Sequence, residues 1–233
     1  GLPTDRRAEH GFSNRGDTLG VSPLLFERYL ETALAVVDVA RTPGAGTGPL
    51  VEVFAPPSTD EEALSPSALN ERRLLAFAPL AFRRPTDRAS LAPFLRLAAT
   101  AGLPRAVAAL LASPRFLHRL EPHVGSAATR PLDDWELANR LSYFLWSTMP
   151  DATLRAAAAR GALSADDVGL VTEARRLLRD PRVAALAEVF AFEWLGLDKL
   201  AGARPDPKVF PRYYWGELNK HSLAGPMAFE VLL

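Results

Sequence analysis

Apolar residues recur along most of the chain at helical spacing, and Ser-Pro, Asp-Pro and Asp-x-x-Glu pairs mark where the runs begin. Ser22-Pro23 sets an N-cap before a proline at the first helical position, and Leu25, Phe26, Tyr29, Leu30, Ala33, Val36 and Val37 follow. Ser65-Pro66 opens a second run with Leu69, Leu74, Phe77 and Phe82 facing inward, bent by Pro79. Asp87 to Thr100 reads as a third helix ended by Gly102, and Pro104 to Ala112 as a fourth stopped by Ser113-Pro114. Phe116, Leu117 and Leu120 then form a short amphipathic turn before Glu121-Pro122.

The second half repeats this punctuation. Asp133 with Glu136 is a capping-box start for a helix carrying Trp135, Leu141, Phe144 and Leu145. Met149-Pro150-Asp151 closes it and caps the next, which stops at Gly161. Ser164 with Asp167 predicts another start. Asp180-Pro181 begins a helix with Val183, Leu186, Val189, Phe190 and Trp194, up to Gly196. This spacing predicts that Trp135, Phe144, Leu145 and Trp194 are buried between the Asp133 and Pro181 helices. A proline-rich loop from Ala203 to Pro211 precedes a last helical stretch containing Pro226.

Arg41 to Pro57 is too rich in proline and glycine for a helix and is the clearest linker or boundary, and Val51 to Phe54 within it is the one candidate strand. The expected fold is all-α, an irregular bundle of about nine or ten helices in two or three subdomains. The expected boundaries are 1–56, an N-terminal helical segment and linker; 57–124, a central helical domain; and 125–233, a C-terminal helical domain. Phe229 to Leu233 reads as an interrupted helix, so the last domain is expected to be truncated.

Composition narrows the chemistry. Hydrophobic residues make up 48% of the 233 residues, enough to bury a core. Lys and Arg number 27 and Asp and Glu 27, so the basic surplus of a phosphate-neutralising nucleic-acid binder is absent. Cys 0 excludes a zinc ribbon, a thiolate nucleophile, a disulfide framework and a C-x-x-C-H haem attachment. No apolar run is long enough for a membrane-spanning helix, and no P-loop, G-x-S-x-G, H-E-x-x-H or G-x-G-x-x-G occurs.

The candidate chemistry is sparse. The histidines are His10, His118, His123 and His221. His118 and His123 are five apart with Pro122 between, a spacing that does not set two imidazoles on one helix face. They are either metal or haem candidates or ordinary helix-end histidines, and no metal site is expected. Met149 or Met227 could join a histidine as an axial haem ligand. Glu188 and Glu193 interrupt an apolar helix beside Phe190, Phe192 and Trp194. They are either a catalytic acid or base, or solvent-facing carboxylates paired with Arg175 or Arg182. Arg83-Arg84-Pro85 follows a helix, where guanidinium groups can cap carbonyls or hold an anion. Arg15-Gly16-Asp17 reads as an adhesion motif or, more simply, as a turn.

Longer strings carry a resemblance. Asn14 to Pro23 with Phe26 to Leu30 is similar to the first of a set of planctomycete-specific helical domains of unknown function. These domains accompany c-type cytochrome modules in planctomycetes, myxobacteria and relatives. Phe77 to Pro85, followed by Ser113 to Leu117, resembles a second such domain, and Leu132 to Asp151 strongly resembles the core of the third. Pro205 to Pro211 is similar to that domain's later loop. Two departures stand out. The cysteines usual around the equivalent of Val53 to Arg73 are missing, and an acidic-threonine pair is Ala224-Gly225 here.

The resemblance implies the haem-free helical portion of an exported, periplasmic or cell-surface protein with a redox or electron-transfer role. The c-type haem would lie on an adjoining domain or partner chain, and none would be covalently bound here. Contact with it would come through His118, His123 or His221, with Trp215 as a pocket wall. The alternative is a structural or assembly subunit without catalytic activity. Whether the chain is part of a periplasmic oxidoreductase stays open at this point, and no catalytic residue is carried over.

Overall fold

The computed structural model describes residues 22–121 and 129–197, together with positions 204, 206, 208 and 209. Among these residues the structure is helical and contains no strand. The helices are α1 Pro23–Ala40, α2 Pro49–Glu52, α3 Pro66–Ala81, α4 Arg88–Ala101, α5 Leu103–Leu111 and α6 Pro114–Leu117. They continue with α7 Asp134–Trp146, α8 Ala152–Ala159, α9 Asp167–Leu178 and α10 Phe192–Trp194. A 3-10 turn at Pro181–Val183 and a π-helical segment at Leu186–Ala191 join α9 to α10.

The caps explain the boundaries. Ser22, Ser65, Asp87 and Asp151 each accept a backbone N–H of the first turn, satisfying donors that have no intrahelical partner. Asp133 and Glu136 close a reciprocal capping box at α7. At α9 the cap is Asp166, which accepts from Val168 and Gly169. Ser164, expected to start that helix, bonds Asp134 instead through both its N–H and its hydroxyl. Asp134 thereby pins the 163–164 loop against the start of α7.

Two cores result. The first joins Ala33 and Val37 of α1, Val53, Leu74 and Phe77 of α3, Leu91 of α4, and Val107 and Leu110 of α5. Helix α5 is buried nearly all round, and Ala98, Ala106 and Ala108 let its neighbours approach closely. Val51 to Phe54 is not a strand: Pro49 starts a helical turn there, which puts Val53 into this core with Leu50 and Phe54 packed against it. The second core joins Ala138, Leu145 and Trp146 of α7, Leu154 and Ala157 of α8, Leu163, and Leu177 of α9. Trp146 Nε1 donates to the Leu177 carbonyl at 3.0 Å, and the Arg182 guanidinium lies 3.6 Å from the centre of its ring.

The expected aromatic core is only half right. Leu145 is buried and Trp135 packs against the second core, but Phe144 is 52% and Trp194 67% exposed. For Trp194 the cause is the π-helical segment. Its i to i+5 turns are wider than α-helical ones, so a phase counted from Pro181 at 3.6 residues per turn fails beyond Leu186. Trp194 is carried off the core face. It stacks on Phe190 at 5.9 Å, and Phe190 meets Phe144 edge-on at 5.2 Å.

Candidate functional site: an arginine-lined cleft between the cores

The two cores meet mainly through polar links, and a cleft of about 1110 Å³ opens where they meet. The first core contributes the end of α3 and the turn after α6. Arg83, just past α3, has φ 58°, a left-handed conformation costing an L-residue about 1 kcal/mol. Its guanidinium holds it there by donating to the carbonyls of Arg115 at 3.1 Å, Phe116 at 3.0 Å and His118 at 3.0 Å. These are the carbonyls that the short helix α6 leaves without partners. Of the arginine pair after α3, Arg83 does cap carbonyls, but those of a different helix.

Helix α7 supplies the facing wall. Arg84 Nη2 donates to Asp133 Oδ2 at 2.9 Å, and Asn139 Nδ2 donates to the Arg83 carbonyl at 3.2 Å. Arg140 forms a two-pronged pair with Glu121 at 2.7 and 2.5 Å. The Arg119 guanidinium lies 4.6 Å from the Tyr143 ring centre, and Arg115 lies 4.5 Å from that of Phe82, both within cation–π range. Phe144, Val189 and Phe190 complete an apolar side.

Most carboxylates here are committed. Hydrogen bonding from Arg130, with the Asp133 N–H, holds Glu136 down at about 2, and Arg140 lowers Glu121 below its ordinary value. Both therefore stay charged at neutral pH. The five arginines Arg83, Arg84, Arg115, Arg119 and Arg140 outnumber the cleft glutamates Glu121, Glu136 and Glu193, so the lining favours an anion.

Of the residues singled out from sequence, His118 and Glu193 line this one cleft. Glu188 is exposed and does not line it. Arg182 stacks on Trp146 and pairs with Asp180 and Asp151, so it is engaged there. His10, Arg15-Gly16-Asp17, His123, Trp215, His221 and Met227 lie outside the described residues. No cluster among the described residues groups three metal-ligating side chains, and no described helix is long and apolar enough to cross a membrane. Sequence reasoning missed Arg115, Arg119, Asn139 and Tyr143. The one available signal was Arg83-Arg84, because the spacing on α7 does not reveal which helices face it.

Helix α7 and the π-helical segment lie within a stretch that matches a known family. Residues 132–231 match PSD4, a protein family of unknown function (DUF1592). Residues 1–42 match a second family of unknown function, PSD3 (DUF1587). No curated protein and no solved structure matches the chain. The PSD4 segment supplies Trp135, Asn139, Arg140, Tyr143, Phe190 and Glu193 to the cleft, while Arg83, Arg84, Arg115 and Arg119 lie between the two matches.

Proposed function

We propose that residues 1–233 are the haem-free helical portion of an exported, multidomain protein associated with c-type cytochrome modules, with a redox or electron-transfer role. The observation that carries this reading is the presence of PSD3 and PSD4 matches in one chain, at 1–42 and 132–231. They fall on the strings Asn14 to Leu30 and Leu132 to Asp151, which resemble cytochrome-associated domains. The chain has no cysteine and cannot form a thioether bond to haem, so any c-type haem belongs to an adjoining domain or a partner chain. The role of this portion is then to position a haem module and a substrate. The cleft suits that role because arginines hold its walls at fixed separation.

The test is purification of the natural polypeptide from its own cells, followed by haem staining of a denaturing gel. The reading expects a haem-stained band in the exported fraction, either the polypeptide itself or a partner co-eluting in fixed ratio. A haem-free protein confined to the cytoplasmic fraction would overturn it.

A further inference from the structure

We propose that the polar links between the two cores form a salt-sensitive latch, and that the cleft opens when those links are screened. Two observations carry this. The first is what the seam lacks. Among the described residues the two apolar cores share no side chain, and none of α1 to α6 packs along any of α7 to α10. Two bodies that meet without a large apolar interface move relative to one another unless polar bonds hold them. Here those bonds are few. Arg84 pairs with Asp133, Arg140 pairs with Glu121, Asn139 donates to the Arg83 carbonyl, and Arg119 lies over the Tyr143 ring. Both ion pairs face water, with side-chain exposures of 31% and 44% for Arg84 and Asp133 and of 61% and 32% for Arg140 and Glu121. Pairs of this kind hold in dilute salt and lose most of their strength when dissolved ions screen them.

The second observation is Asn139. Its Nδ2 is held in the seam by the Arg83 carbonyl at 3.2 Å, while its Oδ1 is buried and has no hydrogen-bond partner among the described residues. A sealed, bare acceptor destabilises the closed arrangement, and parting of the walls lets water reach it. The seam therefore sets a group that favours opening against charges that favour closure, and the charges decide the balance between the two states. The latch is built from this chain's own residues and does not rest on the haem reading.

The test is the distance between spin labels placed on the two cores of the full chain. The chain has no cysteine, so introduced ones are labelled uniquely. Two exposed pairs serve, Ala99→Cys with Ala159→Cys and Ala35→Cys with Thr153→Cys. At about 0.01 M salt each pair should give one dominant distance, and by about 1 M the ratio of open to closed should rise about tenfold in at least one pair. Arg84→Gln with Arg140→Gln should produce the open distance already at low salt. The α7 cap survives in that variant, because Asp133 caps through its other oxygen. Should the double variant lose helix content by circular dichroism, Glu121→Gln alone removes one pair from the exposed side and should move the ratio the same way. Arg28→Gln, which breaks an exposed pair within α1, should leave the distances unchanged. The same distances at both salt concentrations, native distances in the folded latch variant at low salt, or an equal shift in Arg28→Gln would each overturn the proposal.

Discussion

Replacing Glu136 by Gln removes one charge from the start of α7 and leaves the shape of the side chain almost intact. Glu136 is 4% exposed. Its carboxylate accepts from Arg130 Nη1 at 2.8 Å and Nη2 at 2.6 Å, and from the Asp133 N–H at 2.9 Å. The folded-state pKa is held at about 2 against an ordinary 4.5, chiefly by the Arg130 hydrogen bonds and despite burial. At 1.36 kcal/mol per unit, that difference corresponds to about 3 kcal/mol of stability at neutral pH. Gln keeps the capping acceptor for Asp133 but loses the charge, so Glu136→Gln should cost about 2 kcal/mol.

The pH dependence follows from the sign. A depressed carboxylate stabilises the fold above its unfolded pKa and loses that contribution as pH falls through the folded value. The Glu136 contribution is therefore full above about pH 5, roughly half gone near pH 3 and lost below about pH 2. Urea unfolding of both proteins at several pH values reads this directly. The gap between their midpoints should narrow from neutral pH to pH 3. A gap of the same size at both would show that packing, not charge, is what Glu136 provides.

Other expectations are simpler. Leu110, fully buried in the first core, should cost about 2–5 kcal/mol when cut to Ala, read by urea unfolding. Trp146→Ala should cost about 3–5 kcal/mol, because it empties the second core and strands the Leu177 carbonyl; a thermal midpoint unchanged from the native chain would contradict this. Trp194→Ala should shift stability by less than about 0.5 kcal/mol, since that ring is 67% exposed. Gly169→Ala should destabilise by about 1–3 kcal/mol, because a Cβ there would sit 1.8 Å from the Ala162 carbonyl oxygen; equal denaturation midpoints would refute that close approach.

Local chemistry was readable wherever a single residue decides a backbone bond. Ser22, Ser65, Asp87, Asp133 and Asp151 cap the helices that their positions announce. Ser164 misled because Asp166, two residues on, caps the helix through the Val168 and Gly169 N–H groups, and a distant carboxylate, Asp134, takes the serine. Trp194 misled because periodicity assumes one turn width, and the π-helical segment changes it. The cleft was least legible, since Arg119 over Tyr143 and Asn139 under Arg83 join residues far apart in sequence. Local pattern fixes which face of a helix is polar, whereas the partner of that face is set by packing of the whole chain.

A cleft built from both cores requires that they hold each other in place. The Arg84–Asp133, Arg140–Glu121, Asn139–Arg83 and Arg119–Tyr143 links each contribute about 0.5–1 kcal/mol. Together they are enough to couple the unfolding of the two halves. All four tryptophans lie beyond residue 134, so their fluorescence follows the C-terminal half, while far-ultraviolet circular dichroism follows helices of both. Urea unfolding of the chain recorded with both probes should give one superimposable transition. Two separated transitions, with helix signal persisting after the fluorescence change is complete, would show that the cores unfold independently and that no fixed cleft stands between them.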